Sequence, residues 1–292
     1  FSLKQKIILK NIMDDKKEII AANVKAALDE DIGSGDVTAK LIEPYTICEA
    51  TLTCRDSAIL CGSEWFNEVF KQLDNSINIE WLVSDGDKVK SNQKICNLNG
   101  SAHAILTGER TAINFLQTLS SVSTNVAAFV DRIKNTKTKI LDTRKTIPGL
   151  RYAQKYAVTV GGGFNHRFGL FDEILIKENH IAASGSLEKA IKKAKKNKLP
   201  ITVEVENLDQ LKEALESDID KILLDNFTQP NIKKAVVMAN GKIKLEASGN
   251  ITVHNIHTIA GTGVDYASIG AITKNIEAID FSMLINLIYI PR

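Results

Sequence analysis

The sequence predicts an α/β protein: an N-terminal α+β domain with an open sheet, packed on an incomplete (β/α) barrel of about six or seven strands. Two observations predict this fold class. From residue 14 to about residue 110, one helical segment precedes short strand-like runs separated by turns. From Gly108 onward, apolar runs alternate with amphipathic helical stretches, which is typical of βα units around a parallel sheet. We place the domains at residues 1–125 and 126–274, with residues 275–292 packing back on the first.

The first domain contains four short runs with the composition of strands, at residues 49–55, 58–61, 77–83 and 94–98. Turn signals such as Asp85-Gly86-Asp87 and Asn99-Gly100 separate them. Strands joined by such short turns pair in antiparallel fashion, so we expect an antiparallel sheet here.

The second domain begins with a long helical pattern over residues 109–129, with apolar positions at helical spacing. Six apolar runs follow, at residues 139–141, 173–176, 201–205, 221–224, 244–247 and 266–269. Helical stretches at residues 186–197, 208–216 and 230–239 lie between them. Six strands are fewer than the eight of a closed barrel, and so the barrel is expected to be incomplete.

Each apolar run of the second domain ends in polar, chemically capable residues. The ends read DTRK, KENH, EVEN, LDN, SGN and GAIT. In a barrel of parallel strands the carboxyl ends of the strands face one mouth, where active sites lie. Loops are polar in general, but polarity alone does not supply this set of cations, carboxylates and small residues. The sequence therefore predicts one common pocket.

The densest signal is a group of basic residues between residues 141 and 180: Arg144, Lys145, His166, Arg167 and Lys177. An arginine side chain offers a planar fork for a carboxylate, and lysine offers a point charge. Several cations in one mouth indicate a substrate with more than one negative charge. The alternative is solvated surface charge. Arg110, at the start of the long helix, is a weaker candidate for an anionic partner.

Two carboxylates and two small-residue turns complete the predicted pocket. Glu204 and Asp225 could hold Mg²⁺, accept sugar hydroxyls or stabilise a developing cation, or else form ion pairs with neighbouring lysine and arginine. The last two strands end in turns with glycine, which favours binding of a phosphate by backbone N–H groups. The candidate phosphate ligands are Ser248, Gly249, Asn250, Gly270 and Ala271.

The composition limits the class of partner. The chain has 292 residues with a formal net charge of +2, which argues against nucleic acid or a membrane surface as the main partner. No stretch approaches the apolar length of a membrane helix, and the first residues do not resemble a signal peptide. Four cysteines form no CxxC pair, so reduced thiols in a cytoplasmic protein are expected, with a disulfide or zinc site as the alternative.

At this point the motifs resemble those of the quinolinate phosphoribosyltransferases. The ordered segments DTRKTIPGLRYAQKYAV, GGGFNHRFGL and IKENHI carry the resemblance most specifically. The segments ALDEDIGSGDVTA, GERTAINFLQTLSSVST, VEVENL, LLDN, EASGNI and VDYASIGAIT extend it over nearly the whole chain, except for residues before about Asp14.

The resemblance implies a homodimer in which Arg110 reaches the partner subunit's site. It implies that quinolinate lies among Arg110, Thr143, Arg144, Lys145, His166, Arg167 and Lys177. Catalysis would involve Glu204, Asp225 and Lys145, and Glu204 and Asp225 would also face the ribose and Mg²⁺-pyrophosphate. The phosphoribosyl group would meet Lys177, Glu204, Asp225, Ser248, Gly249, Asn250, Gly270 and Ala271. Where some relatives carry histidine after the last turn, this chain has Lys274.

The implied reaction joins quinolinate to phosphoribosyl pyrophosphate and yields nicotinate mononucleotide, carbon dioxide and pyrophosphate, a step of NAD biosynthesis. It requires no enzyme nucleophile, which agrees with the absence of an evident one in the motifs. Three alternatives remain: a paralogue associated with molybdenum transport, a non-catalytic phosphate- or nucleotide-binding barrel, and a nicotinate phosphoribosyltransferase, which would need a clamp for only one carboxylate.

Overall fold

The computed structural model describes residues 15–289, and it divides the chain into two compact units. One unit contains residues 15–125, 147–161 and 275 onward, and the other contains residues 126–146 and 162–274. The prediction assigned residues 147–161 to the barrel domain, whereas the structure groups them with the antiparallel sheet. The prediction for residues 1–14 lies outside the described residues.

The first unit is built on a four-stranded antiparallel sheet. Its helices are α1 (Lys16–Ile32), α2 (Ser63–Leu73), α4 (Arg151–Val160) and most of the long α3 (Ala102–Ile133). Its strands are β1 (Ile47–Cys54), β2 (Ala58–Ile59), β3 (Asn78–Trp81), β4 (Lys88–Val89), β5 (Gln93–Ser101) and β12 (Phe281–Tyr289). The sheet order is β12-β1-β5-β3, and β2 pairs separately with β4.

The core of this unit follows from the alternation of its strands and the apolar face of α2. In β1, every second side chain is buried, including Leu52, because successive residues point to opposite faces of a sheet. Trp65, Phe66 and Phe70 of α2 are fully buried, and the ring of Phe66 meets those of Phe70 and Trp81 edge-on. The C-terminal strand β12 pairs along the whole length of β1.

The second unit is a sheet of six parallel strands that forms a partial barrel-like core. Its strands are β6 (Lys139–Leu141), β7 (Ile174–Ile176), β8 (Ile201–Val205), β9 (Lys221–Asp225), β10 (Lys244–Ser248) and β11 (Tyr266–Ser268), in the order β6-β11-β10-β9-β8-β7. Its helices are α5 (Glu178–Ser184), α6 (Leu187–Ala194), α7 (Leu208–Leu215), α8 (Gln229–Ala239), α9 (Ile256–Ala260) and α10 (Ala271–Lys274).

The strands of the second unit are apolar on both faces because helices cover parallel sheets. Val203, Ile222, Leu224 and Leu245 are almost completely buried. Beyond the edge strand β6, Phe164 forms a parallel bridge with Leu141, which extends the sheet by one residue of the glycine-rich segment. The predicted incomplete barrel is therefore confirmed.

The long helix begins seven residues before its predicted start. The sequence pattern treated Gly108 as a break, but this residue lies inside α3. A Cβ atom there would lie 2.9 Å from the ring of Phe70 and 2.7 Å from Leu73, so glycine allows close packing of α3 on α2.

Two further features bear on the predicted class of protein. Within residues 15–289, no helix is long and apolar enough to cross a membrane. The four cysteines, Cys48, Cys54, Cys61 and Cys96, are buried and unpaired.

Candidate active site

The structure brings most of the predicted site residues to one edge of the parallel sheet. Their positions at or just beyond the carboxyl ends of the strands follow from the parallel topology. Thr143 follows β6, Lys177 follows β7, Glu204 is in β8, Asp225 ends β9, Ser248 ends β10 and Gly270 follows β11. The strand register pairs Ser248 with both Asp225 and Ser268.

Two arginines lie close together in this region. Burial lowers the pKa of the half-buried Arg167, and the neighbouring charge of Arg144 lowers this pKa further. Arg167 Nη1 donates to the backbone oxygen of Glu173 at 3.3 Å. Arg144 Nε is buried and has no hydrogen-bond partner among residues 15–289. Two neighbouring guanidinium groups have the charge and the donors that a ligand with two negative charges requires.

Two buried carboxylates fix the backbone of the loop that carries Arg167. Asp142 is fully buried and accepts the backbone N–H of His166 at 2.8 Å. Asp172 is nearly as buried, and its two oxygens accept the backbone N–H groups of Phe168 and Gly169 at 2.7 and 2.8 Å. The loop that links the two edges of the sheet is therefore held in one conformation at both ends.

His166 turns its ring toward the protein interior. Its side chain is 7% exposed, and its Nε2 lies 3.2 Å from Oε2 of Glu246. Its Nδ1 accepts the backbone N–H of Arg167 at 2.7 Å. Both ring nitrogens thus have protein neighbours, whereas the sequence predicted His166 as a ligand of the substrate.

Of the two predicted carboxylates, Glu204 has a charged neighbour and Asp225 has a neutral one. Glu204 Oε2 lies 2.6 Å from Nζ of Lys177, so the ion-pair alternative applies to Glu204 in this structure. Asp225 Oδ2 accepts the side-chain N–H of Asn226 at 3.0 Å. Glu204 is mostly buried, with 15% of its side chain exposed, while almost half of the Lys177 side chain is exposed. Lys177 is therefore available to a ligand at the sheet edge.

The turn after β10, where the sequence predicts a phosphate site, has a left-handed backbone. Gly249 has a φ of +94°, and a Cβ atom there would lie 2.1 Å from Oδ1 of Asn226. Asn226 and Asn250 also have left-handed backbone conformations, with φ values of 54° and 52°. Asn250 Nδ2 donates to Asn226 Oδ1 at 3.3 Å, which ties the turns after β9 and β10 together. A cavity of about 320 Å³ opens beside them.

The turn after β11 lies against the DTRK segment. A Cβ atom on Gly270 would lie 2.8 Å from Cδ of Lys145, so the aliphatic part of Lys145 covers this glycine. Thr273 Oγ1 donates to the backbone oxygen of Lys145 at 2.9 Å. Ala271 begins α10, and Lys274 ends it with an exposed side chain. Lys145 is therefore near the predicted phosphate turn.

Arg110 lies in the other unit, on α3. Its side chain is exposed and has no ion-pair or hydrogen-bond partner among the residues that the structure describes. Its role in the site of a partner subunit stays a prediction.

Sequence reasoning missed three charged residues below the strand ends. Glu246 is fully buried in β10, Lys221 begins β9 with 13% of its side chain exposed, and Glu173 directly precedes β7. Lys221 Nζ lies 2.6 Å from Glu246 Oε2 and 3.5 Å from Glu173 Oε1. The signal was available: Glu246 interrupts an apolar run between Leu245 and Ala247, where a charge needs a partner.

Comparison with known proteins identifies the family. The family model of the quinolinate phosphoribosyl transferase C-terminal domain matches residues 122–284, and that of the N-terminal domain matches residues 36–120. The chain belongs to the quinolinate phosphoribosyltransferase family. The resemblance noted in the sequence motifs is thereby confirmed over both units.

Individual relatives of this family are similar along most of their length. A probable carboxylating nicotinate-nucleotide pyrophosphorylase of Bacillus subtilis is 41% identical, over 88% of this chain and 90% of the relative. A mitochondrial decarboxylating quinolinate phosphoribosyltransferase of Nicotiana tabacum is 39% identical, over 93% and 82%. The solved nicotinate-nucleotide pyrophosphorylase of Francisella tularensis is 50% identical, over 92% and 96%, with a TM-score of 0.89.

A more distant protein is similar in fold. The human nicotinic acid phosphoribosyltransferase covers 93% of this chain with a TM-score of 0.52, but at 9% identity this likeness shows the fold alone.

Proposed function

We propose that this quinolinate phosphoribosyltransferase family member transfers the phosphoribosyl group of 5-phosphoribosyl-1-pyrophosphate to quinolinate, with loss of carbon dioxide, to give nicotinate mononucleotide and pyrophosphate. The observation that carries the proposal is the pair Arg144 and Arg167. Arg144 has a buried, unpartnered N–H among the described residues, and the two positive charges are close enough to affect each other. Quinolinate carries two adjacent carboxylates, and so it matches a doubly cationic clamp.

The remaining cations and carboxylates fit the sugar donor. Lys177 is partly exposed beside Glu204, and Lys145 covers the Gly270 turn. Their charges attract the phosphate groups of the donor, while Glu204 and Asp225 stabilise positive charge that develops on the ribose as pyrophosphate leaves. The strained turn at Gly249 offers backbone N–H groups to the 5-phosphate.

Magnesium fits this site as a companion of pyrophosphate. Among residues 15–289 there is no group of three or more carboxylate, imidazole or thiolate side chains able to hold a metal. Mg²⁺ is commonly bound by one or two carboxylates together with substrate phosphates, and Glu204 and Asp225 supply that number. When bound, it would neutralise charge on the departing pyrophosphate.

The chemistry then needs positioning more than a reactive side chain. The ring nitrogen of quinolinate bonds to C1 of the ribose as the bond from C1 to pyrophosphate breaks. The quaternised ring expels its adjacent carboxylate as carbon dioxide, because the electron pair left on carbon is stabilised by the neighbouring N⁺. That carbon then takes up a proton. Arg144 and Arg167 hold the ring in the geometry for attack.

We also propose that the protein acts as a homodimer in the cytoplasm. Strand β12 is an edge of its sheet and exposes Leu284, Leu287 and Ile288, which favours association with a second copy. The exposed, unpartnered Arg110 is suited to reach a neighbouring subunit's anion. The four reduced thiols favour a reducing compartment.

Replacement of Arg144 by alanine tests the clamp. Because one of two charge-assisted contacts is lost, we expect quinolinate to bind at least roughly 100-fold more weakly while the fold is retained. The measurement is calorimetric titration with quinolinate and with nicotinate. Arg132→Ala, at an exposed arginine of α3, serves as the matched control and should bind quinolinate normally.

Two results would count against the proposal. If Arg144→Ala binds quinolinate as well as the unchanged protein does, Arg144 is not part of a clamp. If nicotinate binds as tightly as quinolinate, the site recognises one carboxylate, as in a nicotinate phosphoribosyltransferase.

A further inference from the structure

A layer of charged residues lies below the strand ends and includes none of the residues predicted to bind substrate. It consists of Glu173, Lys221 and Glu246, and we call it the charged layer. Lys221 Nζ lies between the two carboxylates, 2.6 Å from Glu246 and 3.5 Å from Glu173. Thr202 Oγ1 donates to Glu173 Oε1 at 2.6 Å. Glu246 is fully buried, and burial raises its pKa, but His166 and Lys221 outweigh burial and leave the pKa lowered.

The hydrogen bonds around His166 assign its tautomer. The backbone N–H of Arg167 points at Nδ1 from 2.7 Å, and two protons cannot share so short a separation, so Nδ1 carries none. The ring proton is therefore on Nε2, which lies 3.2 Å from Oε2 of Glu246. Lys221 Nζ, 3.3 Å from Nε2, cannot donate to a protonated nitrogen, and its carboxylate neighbours are Glu246 and Glu173.

The charged layer also reaches Arg167. Glu173 pairs with Lys221 through its side chain and accepts Arg167 Nη1 through its backbone oxygen. The charge of Glu173 opposes the lowering of the Arg167 pKa that burial and Arg144 cause. The layer has two carboxylates and one ammonium group, and so its net negative charge offsets part of the repulsion between the two arginines.

We propose that Glu246 is a positioning residue for quinolinate binding, and that it acts through His166. From the barrel interior, Glu246 accepts the Nε2 proton and so keeps Nδ1 as an acceptor for the Arg167 backbone. Lys221 and Glu173 hold Glu246 and the far side of Arg167 in place. This inference rests on the proposed function, because it assigns His166 a part in supporting the quinolinate clamp.

A purely structural role of Glu246 makes a different prediction. A buried ion pair can often be replaced by apolar side chains of similar size without loss of stability, whereas removal of one partner leaves an uncompensated charge. The double variant Glu246→Leu/Lys221→Met should thus be at least as stable as the single variant Glu246→Gln. However, only glutamine retains an oxygen that accepts the His166 proton.

Calorimetric titration of both variants with quinolinate separates the two roles. We expect the double variant to bind quinolinate about tenfold or more weakly, and Glu246→Gln to stay within about threefold of the unchanged protein. Affinity and thermal stability would then rank the two variants in opposite order. The affinity for phosphoribosyl pyrophosphate should be unchanged in both. Lys244→Met, at the start of the same strand β10, is the matched control with unchanged affinity. A folded double variant with normal quinolinate affinity would overturn the proposal.

The tautomer itself can be measured without substrate. In protein labelled with ¹⁵N-histidine, with the His166 signals assigned by their loss in His166→Asn, we expect a protonated Nε2 and an unprotonated Nδ1. Averaging between tautomers, or a proton on Nδ1, would contradict the assignment and with it the proposal. If the unchanged protein fails to bind quinolinate, the proposed function fails, whereas the tautomer result still reports on the arrangement of Glu246 and His166.

Discussion

At the scale of single residues, the turn after β10 is fixed by backbone conformation. Gly249 combines a positive φ with a close approach to Asn226, and no other residue type satisfies both conditions. Gly241 offers a comparison within the same unit, because it has a φ of +73° with no atom within 4 Å of a Cβ. The two glycines therefore separate the cost of the left-handed conformation from the cost of the steric clash.

We predict that Gly249→Ala is clearly more damaging than Gly241→Ala. The left-handed conformation alone should cost Gly241→Ala about 1 kcal/mol in the free energy of unfolding. The clash with Asn226 should raise the cost in Gly249→Ala to about 3 kcal/mol and weaken binding of phosphoribosyl pyrophosphate. Urea unfolding and calorimetric titration measure both effects. Equal losses in the two variants would mean that the approach to Asn226 is relaxed in solution.

Residues at strand ends were predictable from the sequence, whereas the charged layer was not. Arg144, Lys177 and Asp225 lie within three residues of the ends of apolar runs, so local pattern places them at the mouth of a parallel sheet. Lys221 and Glu246 lie in two strands and Glu173 directly precedes a third, and only the strand order brings them together. The inward direction of the His166 ring likewise depends on Glu246, which is 80 positions away along the chain.

At the scale of secondary-structure elements, α2 depends on a distant carboxylate. No side chain caps this helix at its own N-cap, Gly62. Instead, Asp85 accepts the backbone N–H groups of Gly62 and Ser63 at 3.0 and 3.1 Å. It also accepts the hydroxyl of Tyr156, on α4, at 2.9 Å. A single side chain thus joins a turn to two helices.

We predict that Asp85→Ala lowers the free energy of unfolding by about 2 kcal/mol, because it removes a helix cap and leaves the Tyr156 hydroxyl without its acceptor. Urea unfolding followed by circular dichroism measures the loss. Asp218→Ala, which breaks the exposed pair with Lys195, is the control and should leave the free energy of unfolding almost unchanged. A similar small loss for Asp85→Ala would show that α2 is stabilised by its buried face alone.

Element boundaries were less predictable than element types. The six parallel strands lie within one or two residues of their predicted positions because each is a compact apolar run. The start of α3 was wrong by seven residues because Gly108 is set by packing against α2, a contact that local sequence does not reveal.

At the scale of the whole molecule, the order of the strands and the grouping of segments into units depend on contacts between residues that are far apart in the sequence. The sequence pattern predicts six parallel strands but not the order β6-β11-β10-β9-β8-β7. Nor does it assign residues 147–161 to the antiparallel unit, since these residues lie between two segments of the barrel along the chain. The assembly of two copies is the remaining long-range relation, and it determines the role of Arg110.

We predict that two inactive variants complement each other. If Arg110 completes the partner's site, Arg110→Ala and Arg144→Ala should each be inactive alone. After the subunits are mixed and exchanged, half of the dimers should combine both variants, and each of these should have one intact site. The recovered activity should reach roughly a quarter of that of the unchanged protein. Absence of recovery in verified mixed dimers would place Arg110 in its own subunit's site or outside any site.

The central claim is tested most directly by turnover with quinolinate, phosphoribosyl pyrophosphate and Mg²⁺, with nicotinate as a parallel substrate. The account predicts nicotinate mononucleotide and carbon dioxide in equal amounts from quinolinate, and no product from nicotinate. A folded, dimeric protein that releases no carbon dioxide from quinolinate would contradict it, and would favour a non-catalytic barrel or a paralogue with another substrate.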